Sequence, residues 1–463
     1  MKKRFKQSFV LLAASMLAAG FVACSNDDDD FNDPNEVSGI NYVVRSWNGT
    51  QVVPTVHAVA DGKYTELTSH EGTFNADAVT YVVKGEVTIT GPMFLNPKEG
   101  KTVNIILTDD CLFKVCGIAF AEGTEGLTLN IYGQTGDSGY LISNGSSIYW
   151  TYAMPGIGNA MDTKGTVNIF GGKIKATGSD SDPGIGTSIG GGNTINIYGG
   201  KITAQGGNWG GTGIGGGYHV KDYGTINIYG GEVWGGGGSR DATAESSAAG
   251  IGGGYENERG TVHIFGGQVA AIGGHEAAGI GCGQNGSSTG AGHIIIDGGS
   301  VIARADNYAA GIGGGDGIPG YIVEINGGHV EAYGGVDAAG IGGGEGANGG
   351  KVIITGGEVR AEGNDNGAGI GGGEDGDGAD VTITGGTVIA KTSGTDDGSR
   401  AIGPGDGSDN YGSLTLGDNM MVTSERLANV DERKNMCWYR TNVRVELCTH
   451  PGYTAETCPY HKH

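Results

Sequence analysis

The chain has 463 residues, 97 of them glycine, and its 51 acidic against 28 basic side chains leave a formal charge of −23. That balance argues against nucleic acid as a partner, because phosphate binding needs clustered Lys and Arg. It suits an exported, soluble and monomeric protein.

Residues 1–24 read as a secretion signal. Met1-Lys2-Lys3-Arg4 is a basic start, and Ser8 to Phe21 is an apolar run too short to span a membrane. Val22-Ala23-Cys24 closes it in the manner of a bacterial lipobox, with Phe21 where Leu is usual. On this reading Cys24 becomes the lipidated, palmitate-bearing first residue. The other reading is an ordinary signal peptide with a chance Cys. Ser25-Asn26 and the four acids Asp27 to Asp30 follow at once. They resemble the acidic export tag of Bacteroidetes surface lipoproteins. That resemblance implies an outer-membrane protein displayed at the cell surface, with residues 25–38 as a solvated linker.

Residues 39–77 carry strand candidates at Tyr42-Val43-Val44 and Gln51-Val52-Val53. They are expected to close the end of a stacked fold, because an open end is an exposed sheet edge. Thr80 to Val83, Glu86 to Ile89 and Val103 to Ile106 read as first, irregular coils, and Leu129-Asn130-Ile131-Tyr132 is the first clear copy of a repeated strand. From Gly165 to Gly405 that strand recurs, followed by Gly-Gly, a second strand and Ile-Gly-Gly-Gly. The Gly-Gly pairs fall at Gly171, Gly199, Gly230, Gly266, Gly298, Gly327, Gly356 and Gly385, settling to a step of 29 residues. A fixed period in this range marks stacked repeats. Val167, Ile169, Ile174 and Ala176 alternate with Asn168, Phe170, Lys173 and Lys175, which is a strand pattern. The expected fold is all-β, a right-handed parallel β-helix of about 29-residue coils over residues 39–422. Residues 423–463 break the pattern and read as a Cys- and His-containing C-terminal cap.

The phrase Thr128 to Gln134, the Gly-Ile-Gly-Gly-Gly copies and the closing Cys448-Thr449-His450 and Cys458-Pro459-Tyr460-His461 carry a wider resemblance. Together they resemble glycine-rich β-helix surface lipoproteins of gut Bacteroidetes. The resemblance implies fold and location and brings no catalytic residue with it.

Three constellations could carry chemistry. Cys448, His450, Cys458 and His461 offer two thiols and two imidazoles, enough for a closed structural zinc site. A disulfide among Cys437, Cys448 and Cys458 is the competing use, and Cys111 with Cys116 is a local disulfide candidate. Tyr132, Phe170, Tyr198, Tyr229 and Phe265 occupy one position in successive copies, an aromatic ladder at about 4.8 Å per rung. Facing outward, it would suit the apolar faces of sugars, with Asn168, Asn196 and Asn227 beside it; covered, it would be structural. Trp209, Tyr218, Trp234 and Tyr255 lie in or near the same coils. Asp316, Glu345, Glu374 and Asp406 each follow the glycine signature, an acidic ladder that calcium would neutralise or that would stand as a solvated edge.

The chain has no His-Glu-x-x-His and no phosphate loop. The expectation is a non-catalytic binding or adhesion protein for a glycan or host polymer. The alternatives are a polysaccharide lyase or hydrolase built on the β-helix, and a structural surface spacer.

Overall fold

The structure, a computed structural model, describes residues 39–146, 154–160, 163–188, 190–238, 246–257, 259–286, 292–393, 399–423 and 442–447. The expected parallel β-helix forms. The coils build three parallel walls of 13, 11 and 12 strands, the second extended by two antiparallel strands. The first wall carries the repeated Val/Ile-x-Ile strands, from Thr65–Glu66 to Ser413–Leu416; we call it the Asn wall after its outer residues. The second, the Val–Ala wall, includes Lys173–Thr177 and Glu358–Gly363. The third, the Ile–Gly wall, ends at Ile402–Gly403.

The alternation read from the sequence decides what is inside. Val167, Ile169, Ile174 and Ala176 are buried with their equivalents in neighbouring coils, and one Ile per coil, such as Ile214, Ile251 and Ile280, closes the core from the third wall. Stacking gives each coil a floor and a lid that it cannot supply alone. The Ile–Gly wall is tight. Its glycines from Gly158 to Gly403 adopt φ of 132° to 150°. A Cβ on any of the eight from Gly158 to Gly371 would lie only 1.7 to 2.2 Å from a carbonyl oxygen of the next coil. The signature glycine is therefore a packing requirement as well as a conformational one.

The N-terminal segment departs from its expected role. Gly39–Trp47 (β1) and Val52–Ala60 (β2) form an antiparallel hairpin that lies along the side of the solenoid. The short strands Thr65–Glu66 and Phe74–Ala76 begin the coils themselves. At the other end, Asn442–Leu447 inserts antiparallel between Thr387–Thr392 and Met420–Thr423 on the Val–Ala wall. The described part of the C-terminal segment thus ends the parallel stacking of that wall. Cys24 and the four C-terminal candidates Cys448, His450, Cys458 and His461 lie outside the described residues.

Cys111 and Cys116 are separate thiols. Cys111 points into the core, while Cys116 Sγ donates to the Thr90 carbonyl at 3.2 Å. They flank the single strand Leu112–Val115, with Cys111 on its core side and Cys116 partly exposed, so closeness in sequence does not bring them together. Cys282 is buried in place of a corner glycine, and burial pushes its thiol up to about 11.

Candidate functional site

The outer face of the Asn wall carries three columns. Thr102, Thr128, Thr166, Thr194, Thr225 and Thr261 stand in register. Beside them Asn104, Asn130, Asn168, Asn196 and Asn227 form an amide ladder, each Nδ2 donating to the preceding Oδ1 at 2.8 or 2.9 Å. The aromatic ladder is the third column. Tyr132, Phe170, Tyr198, Tyr229 and Phe265 stack with centroids 4.5 to 5.0 Å apart and planes within 12°.

The hairpin covers that ladder. Tyr42 meets Tyr132 edge-on at 4.8 Å, and Trp47 lies 5.8 Å from Tyr229 and 5.4 Å from Phe265. The Val43 amide donates to Gly133, Gln134 Nε2 donates to Asn41, and Arg45 pairs with Asp137 at 2.8 Å while reaching the Phe170 carbonyl. Burial under this cover pushes the Tyr132 hydroxyl up to about 12. The five rings also spend their faces on one another, so the ladder offers no open faces along its length to a sugar. Of the two uses weighed from sequence, this geometry serves the covered, structural one.

A second aromatic group faces outward. Trp209 is 42% and Tyr218 37% exposed, and they are the exposed aromatic side chains among the described residues. Trp209 sits where the chain leaves the Val–Ala wall for the Ile–Gly wall, and Tyr218 where it goes on to the Asn wall. Tyr218 stacks on Tyr255 at 4.9 Å and 6°, and His219 lies edge-on to Tyr218 at 3.9 Å. Backbone bonds fix the cluster: Trp209 donates to Asp180, Tyr218 to Ser181, and Tyr255 to Gly210. Polar groups ring it. His219 Nδ1 lies 2.6 Å from Glu256 Oε2, and Asn285 Nδ2 donates to the Tyr255 hydroxyl at 2.8 Å.

His219, Glu256 and Asn285 hold φ of 57°, 55° and 54° on successive corners. Later coils place Gly317, Gly346 and Asp375 in the equivalent conformation. A side chain at positive φ costs about 1–2 kcal/mol relative to glycine.

Asp182 lies under this corner, in the turn that supports Trp209 and Tyr218. Burial pushes its carboxyl up to about 6, while hydrogen bonds from Ser188 and Ser179 pull it partway back. The unfolded chain releases this proton near 3.8, so the folded state holds it over the window from about 3.8 to about 6. Stability therefore falls as pH rises through that window and is flat above it. The two values imply about 2 kcal/mol lost between pH 4 and pH 7. Asp182→Asn is expected to recover most of that at pH 7 and nothing at pH 4. Urea unfolding at the two pH values checks it; an equal gain at both would contradict the assignment.

The acidic ladder follows the same corner into the later coils. Asp316, Glu345 and Glu374 are all raised, first by burial and then by neighbouring carboxylates, which include Glu276, Asp337 and Asp406. The corners are linked by backbone bonds, such as Gly346 to the Glu374 carbonyl at 2.8 Å. Among the described residues no three His, Cys, Asp or Glu side chains converge as metal ligands. On the Val–Ala wall, Glu331 is held low chiefly by the Tyr333 hydroxyl, and Glu362 by Lys391 and Arg360 against its burial. Two ionised carboxylates give no general acid there, which a glycosidase requires.

A family model described as a beta helix repeat matches residues 167–193, 195–218, 262–284, 294–316, 323–345, 352–374 and 381–406. These coils are β-helix repeats. No curated protein and no solved structure matches the chain. The β-helix repeat fits surface-binding and polysaccharide-active proteins generally, so function has to be argued from the side chains on its faces.

Proposed function

We propose that this chain is a lipid-anchored surface protein of the outer membrane that binds glycan without cleaving it. The single observation that carries the binding site is the exposed Trp209–Tyr218–Tyr255 corner with His219, Glu256 and Asn285 around it. Aromatic rings take the C–H faces of sugars, and the polar ring supplies hydroxyl partners. Cys24 and the acidic run after it are the anchor and export tag of this reading. The group it belongs with is the glycine-rich β-helix lipoproteins that its sequence resembles. Zinc at Cys448, His450, Cys458 and His461 would hold the C-terminal cap, and calcium would serve the acidic ladder.

A polysaccharide-active enzyme is the second reading. It draws on the raised carboxyls of Asp316, Glu345 and Glu374, since burial and neighbouring carboxylates make each hold its proton more tightly, as a general acid must. A glycan and polysaccharide array, read for retention and for cleavage products with and without calcium, separates the two. Retention without products is the expected result. Products would move the function to the acidic corners, and silence in both channels would leave a structural spacer.

A further inference from the structure

Next to the aromatic corner, where the Asn wall begins, lies a polar groove of about 380 Å³. Its lining includes Asn193, Thr194, Asp222, Thr225, Thr261 and His293. Thr194, Thr225 and Thr261 are consecutive rungs of the threonine column, and His293 is the rung after them. Their hydroxyls, unlike the amides of the Asn ladder, have no protein partner among the described residues. They are spaced at about 4.8 Å along the helix axis.

The floor has a built feature. Asn193 is 1% exposed. Its Oδ1 accepts from the Gly165 amide at 2.8 Å and its carbonyl from the Thr225 amide at 2.9 Å. Its Nδ2 has no partner. A buried donor left unpaired costs about 1–3 kcal/mol, so a lining amide of this kind calls for an acceptor from outside the protein. Gly224, at φ +85°, keeps the wall close: a Cβ there would strike the Asn193 carbonyl at 1.9 Å. Charge is limited to the rim. Asp222 accepts from the Gly224 amide at 2.8 Å, and His293 stands 3.1 Å from Glu324 without the alignment of a hydrogen bond.

We propose that this groove is the hydrogen-bonding cleft for a neutral, hydroxyl-rich glycan laid along the helix axis, close to one sugar ring per coil. The inference rests on the glycan-binding reading above and adds the ligand class and a second set of contacts. The threonine row supplies regularly spaced donors and acceptors, above a floor stiffened by the buried Asn193. The threonine methyls meet sugar C–H groups. Glycans bearing carboxylate or sulfate are disfavoured, because Asp222 lines the groove and the chain carries −23.

The test is affinity electrophoresis of the full chain in gels holding a neutral β-1,4-linked glucan, a neutral mannan, or polygalacturonate. The variant is Thr194→Val with Thr225→Val and Thr261→Val, which removes three hydroxyls and keeps the β-branched shape. The natural chain is expected to be retarded by a neutral polymer and not by polygalacturonate, and the triple variant to lose at least about tenfold in affinity with an unchanged melting temperature. If the triple variant does not fold, Thr225→Val alone is expected to weaken retardation severalfold. Equal retardation of variant and natural chain would remove the groove while leaving glycan binding in place. Retardation by polygalacturonate alone, or by none of the polymers, would overturn the assignment. Trp209→Ala with Tyr218→Ala tests the underlying reading separately, since it leaves the groove untouched.

Discussion

Gly313→Ala should cost at least about 4 kcal/mol and can prevent the chain from folding at 37 °C. Gly313 sits at φ +139° on the Ile–Gly wall, and a Cβ there lies 2.1 Å from the Gly342 carbonyl oxygen. Both atoms belong to packed backbone, so neither yields by rotating a side chain. Moving the coils apart would break the bonds from Gly311, Ile312 and Gly314 to the carbonyls of Ala339, Gly340 and Gly342. Strain at the dihedral adds about 1–3 kcal/mol, and losses above 4 kcal/mol arise from mechanisms of this kind. Gly317→Ala is the control. It also has positive φ, at +66°, but a Cβ there meets nothing within 4 Å. It is expected to cost about 1–2 kcal/mol. Urea unfolding of the two variants measures the difference; equal losses would mean that the contact between coils is not what the signature glycine protects.

Tyr42→Ala combined with Trp47→Ala should release the N-terminal hairpin from the wall while the solenoid stays folded. A two-stranded hairpin is marginal in isolation, and this one is held by its aromatic contacts with Tyr132, Tyr229 and Phe265 and by Arg45. Removing a packed aromatic costs about 3–5 kcal/mol in a full core. Tyr42 and Trp47 are half-buried, so about 3–4 kcal/mol together is the expected loss. Hydrogen exchange should show the amides of Gly39–Trp47 losing protection, with the core strands unaffected. An apolar dye should bind the uncovered ladder. Unchanged protection in the first strand would mean that the backbone bonds, not the rings, hold the hairpin.

The repeat was legible because burial and spacing are both written locally. Val167, Ile169, Ile174 and Ala176 alternate with polar neighbours, and stacking turns that alternation into inside and outside. The aromatic ladder was legible as a column, but its cover was not. Tyr42 and Tyr132 are 90 residues apart, and no period links them. For the same reason β1 and β2 read as an end cap. Their strand character is local, but the face they pack on is set by the distant ladder. The exposed corner was harder still. Trp209 sits in a turn of its own and holds no position that repeats through the chain. The one available signal was the pair Tyr218 and Tyr255 directly after consecutive Gly-Gly-Gly signatures, where the later coils carry Asp316, Glu345 and Glu374.

The central claim is that sugar is held at the exposed corner and not at the covered ladder. Affinity electrophoresis on the best-retained polysaccharide, comparing Trp209→Ala/Tyr218→Ala with Tyr42→Ala/Trp47→Ala, tests it most directly. The account predicts that the first variant loses retardation and the second keeps it. Retardation that survives the corner substitutions, or that disappears when the hairpin is released, would contradict it.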